Sequence, residues 1–447
     1  MGFGKLHGMN ARPVPRPALA ARLADPALEI YGIVHWGPNT YTDREWGFGD
    51  EDPANLNPDA FDADQIVGAC RDGGLGGLIV VAKHHDGFCL WPTKTTEHNI
   101  TRSPFRGGHG DYVREMEQAC RRAGIRFGVY VSPWDRNNPH YGTPAYVDLY
   151  HAQIKELLGG SYGEVFEMWF DGANGGDGYY GGARETRKIP DGYYRFDEVF
   201  RFVRELQPKV CIFNEDDGAD FRWPGNEMGY LCPDSRATIR PWDPATYTSY
   251  CNRGDETGST FHPCEADFPL RAGWFHHPGE AGTARPPAFL LQRYLNTVGN
   301  AGTMNIGIAP DKHGRLCDED VQALAGFRAL KDKFFSHEVH SSAEPFNVVV
   351  LREDLSAGEQ IDEWELLADG KRVAVGSAIG TKRIRVLAEP VRAAVCDLRI
   401  LRSGGNPQRV EILRYAVDPA LLREVQTATT ASGETDTARW MTGATPH

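Results

Sequence analysis

The chain has 447 residues, 41% hydrophobic and 24% charged, ordinary for a soluble globular protein and long enough for two or three domains. Its 48 Lys and Arg against 61 Asp and Glu leave a formal charge of −13, which repels phosphate backbones and anionic lipid, so neither nucleic acid nor a membrane surface is expected as a partner. Nine scattered cysteines with no Cys-x-x-Cys pair read as reduced packing residues rather than a disulfide framework or a zinc site.

The N-terminal stretch carries basic residues but no continuous apolar core of the export-signal kind. The longest apolar run, 77–82, is far short of the ~20 residues of a membrane-spanning helix. A cytoplasmic location is therefore expected, with secretion as the alternative if the natural start lies upstream. From residue 28 a unit recurs in which a short β-branched run ends in polar or aromatic residues and is followed by an amphipathic segment. Strands are expected at 29–36, 77–85, 126–134, 164–171 and 210–215, with helices at 62–73, 111–123, 146–159 and 195–207 between them. That alternation means β/α units and a parallel sheet. Residues 216–285, rich in Gly, Pro, Asp and Trp, show little periodicity, and a stretch of this length usually builds a binding face. A helix at 287–298, a last strand at 303–309 and a closing helix at 318–334 complete an α/β domain over 1–337. Beyond it, short alternating strands at 347–352, 363–368, 383–387, 395–401 and 410–415 suggest an antiparallel β-sandwich over 338–447, ending from about 426 in a polar tail expected to be flexible.

The strand ends carry the chemistry. They read His35-Trp36-Gly37, Lys83-His84-His85-Asp86-Gly87, Tyr130-Val131-Ser132-Pro133-Trp134, Trp169-Phe170-Asp171-Gly172 and Phe213-Asn214-Glu215-Asp216. In a barrel of parallel strands such ends converge on one mouth. Imidazoles, amides and carboxylates beside aromatic plates suit a monosaccharide, whose hydroxyls need directional partners and whose C–H face needs an apolar surface. Trp36, Trp46, Trp91, Trp134, Trp223 and Trp274 each stand in or beside a polar loop. His84 and His85 invite a metal reading, but neighbours on a strand point to opposite faces and no third ligand stands at helical spacing, so no metal or cofactor is expected. Asp171 is the sharpest residue, a carboxylate at a strand end before a glycine. Cleaving a glycosidic bond takes two carboxyl groups, and Glu215, Glu227 and Glu265 are candidates for the second.

These residues lie within long segments, YGIVHWGPNTYTDREWGFGDE (31–51), VVAKHHDGFCLWPTKTTEHNI (80–100), GVYVSPWDRNNPHYG (128–142), EMWFDGANGGDGYY (167–180), RWPGNEMGY (222–230), RAGWFHH (271–277) and NTVGNAGTMNIGIAPDKHGRL (296–316). Together they resemble the α-L-fucosidases of glycoside hydrolase family 29, within them the branch preferring α-1,3/1,4-linked fucose in branched, Lewis-type oligosaccharides. The resemblance implies a (β/α)8 TIM-like barrel with a C-terminal β-sandwich and a retaining mechanism. It makes Asp171 the nucleophile and Glu227 the acid/base, with Glu215 as runner-up. It maps fucose contacts onto His35, Glu45, Trp46, His84, His85, Tyr130 and Trp274. Phe88 or Trp134 is expected to line an apolar recess for the C5 methyl, and Trp223, Glu265 and Asp267 to serve the acceptor sugar. Broad activity on α-1,2-linked or aryl fucosides, and fucose binding without turnover, are the alternatives.

Overall fold

The computed structural model describes residues 12–243, 246–407 and 409–429, so the tail from residue 430 lies outside the described residues. Seven parallel strands form the larger sheet: β1 (Ile30–Val34), β2 (Gly77–Lys83), β3 (Arg126–Val131), β4 (Glu167–Trp169), β5 (Cys211–Phe213), β6 (Glu265–Pro269) and β7 (Thr303–Ile308). Their spatial order is β6-β7-β1-β2-β3-β4-β5, so chain order simply runs around a curled sheet. Phe221 and Arg222 join its two edges, bridging Phe213 on one side and Cys264 on the other. The expected (β/α)8 barrel is thus seven strands and a two-residue stave. β6 was hidden in the loop-rich stretch because its sequence, EADFP, carries two acids and a proline.

Helices α2 (Ala63–Asp72), α3 (Tyr112–Ala123), α4 (Pro144–Leu158), α5 (Phe196–Leu206), α6 (Pro287–Thr297) and α7 (Asp318–Phe334) follow the strands, and a helix not foreseen from sequence, α1 (Pro17–Ala24), precedes them. α3 shows why the pattern was readable. The Asp111 side chain accepts the Arg114 N–H at 2.9 Å, an N-cap worth about 1 kcal/mol, Val113, Met116, Ala119 and Cys120 are buried together, and Gly124 ends the helix in the left-handed region.

Strand side chains alternate, so inward residues stack in layers. Tyr31, Glu167, Cys211 and Glu265 lie deep. Ile33, Trp169, Phe213 and Asp267, each two residues further on, lie toward the mouth together with Tyr130. α1 plugs the deep end with Leu19 and Arg22, the guanidinium lying over the rings of Tyr31, Phe166 and Phe221.

After α7 come β8 (Phe346–Glu353), β9 (Ile361–Ala368), β10 (Lys371–Gly376), β11 (Arg383–Val391), β12 (Cys396–Ser403) and β13 (Val410–Tyr415), paired antiparallel in two sheets, β11-β8-β13 and β10-β9-β12. Phe346, Val349 and Leu351 meet Trp364 and Leu366 between the sheets. On the other face Val348, Val350 and Ile384 join the barrel core, with Leu421, Leu422 and Val425 of α8 (Pro419–Gln426). Arg383 donates to the carbonyls of Pro233 (2.7 Å) and Ser235 (2.8 Å), and Arg236 pairs with Asp362 (3.0 Å), so the sandwich grips the 216–285 excursion. All nine cysteines are unpaired, and among the described residues no helix is long and apolar enough to cross a membrane.

Candidate active site

The strand ends open on a cavity of about 320 Å3, within the range of small-ligand sites. Its floor is aromatic. Trp169 stacks flat on Phe213 with centroids 4.1 Å apart and against Tyr130 at 5.3 Å, because β3, β4 and β5 are neighbours that set these inward positions side by side. Sequence reasoning missed Trp169 and Phe213 as site residues. The signal was there, since each is the last inward residue before a strand-end carboxylate.

Asp171 rises from the end of β4, with its side chain 23% exposed. Oδ1 accepts the Ala173 N–H at 2.7 Å and Oδ2 the Tyr130 hydroxyl at 2.9 Å. Both donors fix the orientation of the carboxyl group. His85 Nε2 lies 3.9 Å from Oδ2. The His85 Nδ1 meets Ser132 Oγ at 2.7 Å, and that hydroxyl donates onward to the Trp134 carbonyl at 2.9 Å, so Nδ1 carries the hydrogen and Nε2 turns a lone pair to the cavity. His35, His84 and His85 all line the cavity, and burial holds all three neutral: His35 is lowered to about 3, His85 to about 4, and His84 well below its ordinary value. The opposite-face argument for His84 and His85 fails, because β2 ends at Lys83. The Gly87 N–H bonds the His84 carbonyl in a turn that sets the two rings 4.2 Å apart on one mouth. Among the described residues no group of three or more His, Cys, Asp or Glu is arranged to hold a metal ion.

Three further carboxyl groups line the cavity. Glu215 follows β5, its carboxylate against Gly172, and burial together with the charge of Asp171 raises it from 4.5 to about 7. Glu227 accepts the Trp274 indole N–H at 3.2 Å and is likewise raised by burial to about 7. Asp267 sits in the barrel wall on β6 rather than on an acceptor-side loop. Trp46, 46% exposed, stands at the rim, and Trp223 and Trp274 complete the wall.

Other expected contacts lie outside this cavity. Both Glu45 oxygens are taken by the N–H groups of Trp274 (2.9 Å) and Phe275 (3.1 Å) and by His277 Nε2 (2.6 Å), so Glu45 staples the Trp274 loop instead of lining the pocket. Trp134 is buried behind His85 and bonds Tyr180. Glu265 is wholly buried in the deep layer, where it accepts from Tyr31, Trp169 and Asn305, because its side chain points inward one layer below Asp267. Phe88 packs in the core against His98. Trp36 is buried among Phe61, Phe105 and Tyr112, and Trp91 bonds Glu156, so these two are packing residues rather than sugar plates.

An aromatic floor, neutral imidazoles and several carboxyls at the mouth of a parallel barrel define a glycosidase site. Residues 30–329 match the family model described as Alpha-L-fucosidase. The chain is 39% identical over 436 residues to Alpha-L-fucosidase 1 of Arabidopsis thaliana (84% of this chain, 82% of that one) and 37% identical over 353 residues to Putative alpha-L-fucosidase 1 of Oryza sativa subsp. japonica (76% and 65%). A crystal structure of a glycoside hydrolase 29 family member from an unknown rumen bacterium superposes with a TM-score of 0.85 at 34% identity, covering 91% of this chain and 78% of that one. The chain belongs to the α-L-fucosidases of glycoside hydrolase family 29.

Proposed function

We propose that this α-L-fucosidase releases α-1,3/1,4-linked L-fucose from branched, Lewis-type glycans by double displacement, with Asp171 as nucleophile. The observation that carries the reading is one carboxyl, Asp171, oriented by two donors, sharing one cavity with two carboxyls raised to about 7. An Asp171 oxygen attacks the anomeric carbon as the C–O bond to the aglycone breaks and the acid protonates the departing oxygen. The same group, now a base, takes a proton from water, which attacks that carbon and releases fucose with its α configuration. The resemblance puts Glu227 first as acid/base. Its bond to Trp274 supports the reverse order, because the indole N–H favours the ionised form, whereas Glu215 carries no such tie among the described residues and follows the strand beside the one that Asp171 follows. The linkage preference is supported by the segment resemblance. A domain boundary near residue 337, with the sandwich as buttress, is supported by α7 ending at Phe334 and β8 starting at Phe346.

The test is hydrolysis of a Lewis-type trisaccharide beside 2′-fucosyllactose, with proton NMR following the first anomer. Release of α-fucose from the branched sugar alone is expected; equal cleavage of both refutes the linkage preference, and β-fucose refutes retention. Azide should rescue Glu215→Ala and not Glu227→Ala on an aryl fucoside, and the opposite result restores Glu227.

A further inference from the structure

We propose that Asp267 is a sugar-binding residue of the pocket wall that works as a neutral carboxylic acid, with one carboxyl oxygen protonated toward Asn305 and the other accepting a hydroxyl of the bound sugar. The inference deepens the proposed function and rests on it for the identity of the sugar.

Asp267 and its strand neighbour Asn305 each present an oxygen that no protein donor meets. Asp267 is 3% exposed, lines the cavity, and has an Oδ1 with no donor. Its partner in the parallel register of β6 and β7 is Asn305, whose Nδ2 donates to Glu265 Oε1 at 2.8 Å and whose Oδ1 also has no donor. Two buried, donorless oxygens therefore stand on paired residues of neighbouring strands, which run about 4.8 Å apart. Buried polar atoms are seldom left so. A proton on Asp267 would make it a donor to the amide oxygen of its register partner Asn305.

Charge leads to the same place. Asp171, Glu215, Glu227 and Asp267 share the cavity, and among the described residues no Lys or Arg lines it. Four carboxylates cannot all stay ionised there. Tyr130 and the Ala173 N–H both donate to Asp171, while the cations behind the wall are engaged elsewhere: Arg22 with Glu167 and the Leu28 carbonyl, Lys83 with Gln153 and Arg136 with the Gly47 carbonyl. Burial, then the charges of Glu227 and Glu265, push Asp267 well above the usual carboxylate range. A neutral acid here offers a hydrogen bond to the sugar without a second anion to compete with Asp171 for the positive charge developing at the anomeric carbon.

The experiment compares Asp267→Asn with Asp267→Ala. The amide copies the neutral acid: its NH2 donates to Asn305 and its oxygen accepts from the sugar. On an activated aryl α-L-fucoside, Asp267→Ala should lose about thirtyfold in kcat/KM with weaker binding of free fucose by calorimetry, and Asp267→Asn should recover all but about fivefold of it. Asp267→Asn falling as far as Asp267→Ala overturns the proposal. An infrared difference spectrum of wild type minus Asp267→Asn at neutral pH should show the C=O stretch of a protonated carboxyl, and a carboxylate band in its place overturns it as well. If the wild type neither cleaves the fucoside nor binds fucose, the fucosidase reading fails, while the spectrum still decides the protonation of Asp267.

Discussion

His277 ties the loop after β6 to the loop after β1, and its proton should be measurable as stability. Its Nδ1 meets Asp43 at 2.6 Å and its Nε2 meets Glu45 at 2.6 Å. With a carboxylate at each nitrogen the ring is held as imidazolium, and the hydrogen bond to Glu45 is the main reason it rises from 6.5 to about 9. A raised pKa means the native state holds a proton the unfolded chain gives up. The stabilisation is complete below about pH 6.5, declines above it, and is gone once pH passes about 9. That rise corresponds to about 3 kcal/mol. The ring is 18% exposed and Asp43 66%, so solvent screening reduces the figure to about 2 kcal/mol. Thermal unfolding of wild type and His277→Gln, followed by tryptophan fluorescence at about pH 6, 7.5 and 9.5, should show the variant lower by a few degrees at the acid end, with the gap closing at the alkaline end. A gap that stays constant across pH, or no gap at all, refutes the reasoning.

Three further outcomes follow from the same geometry. For an unactivated oligosaccharide, kcat/KM should fall as pH rises through about 7, because the acid raised to that value loses the proton it must donate; a pH profile flat to pH 9 counts against both Glu215 and Glu227. Gly172→Ala puts a Cβ 3.0 Å from Glu215 Oε2, so it should cut oligosaccharide turnover about tenfold while an aryl fucoside with a good leaving group suffers less and the melting temperature hardly moves. Arg383→Met removes the buried guanidinium that donates to the carbonyls of Pro233, Ser235 and Ala378, and calorimetry should find about 3–5 kcal/mol lost.

The elements that sequence revealed are those whose periodicity matches their burial. β2, GLIVVAK, is buried throughout and reads as an apolar run, and α7 ends where its pattern ends. β6 was invisible because its acids point into the barrel, where Tyr31, Trp169 and Asn305 satisfy Glu265, and no hydropathy pattern records a polar network closed by other strands. Asp171 was legible because a lone carboxylate ended a strand beside a glycine. The fate of the tryptophans was not. Trp36 and Trp46 both stand beside glycines and polar residues, and only packing decides that Phe61, Phe105 and Tyr112 enclose the first while the second stays at the rim.

The dipeptide Phe221-Arg222 that joins the sheet edges has a consequence for how this enzyme can diverge. Five strands in unbroken ladder, β7 to β4, fix the side of the mouth that carries His35, His84, His85 and Asp171. The opposite side is closed by two bridges and by the long excursion between β5 and β6, which brings in Glu215, Trp223 and Glu227 and is held from outside by the sandwich. Insertions and deletions there disturb almost none of the seven-strand ladder, so the wall that carries Trp223 and Glu227 can be recut while the wall that carries His35, His84, His85 and Asp171 stays as it is. The seam of the barrel is where substrate range is free to change.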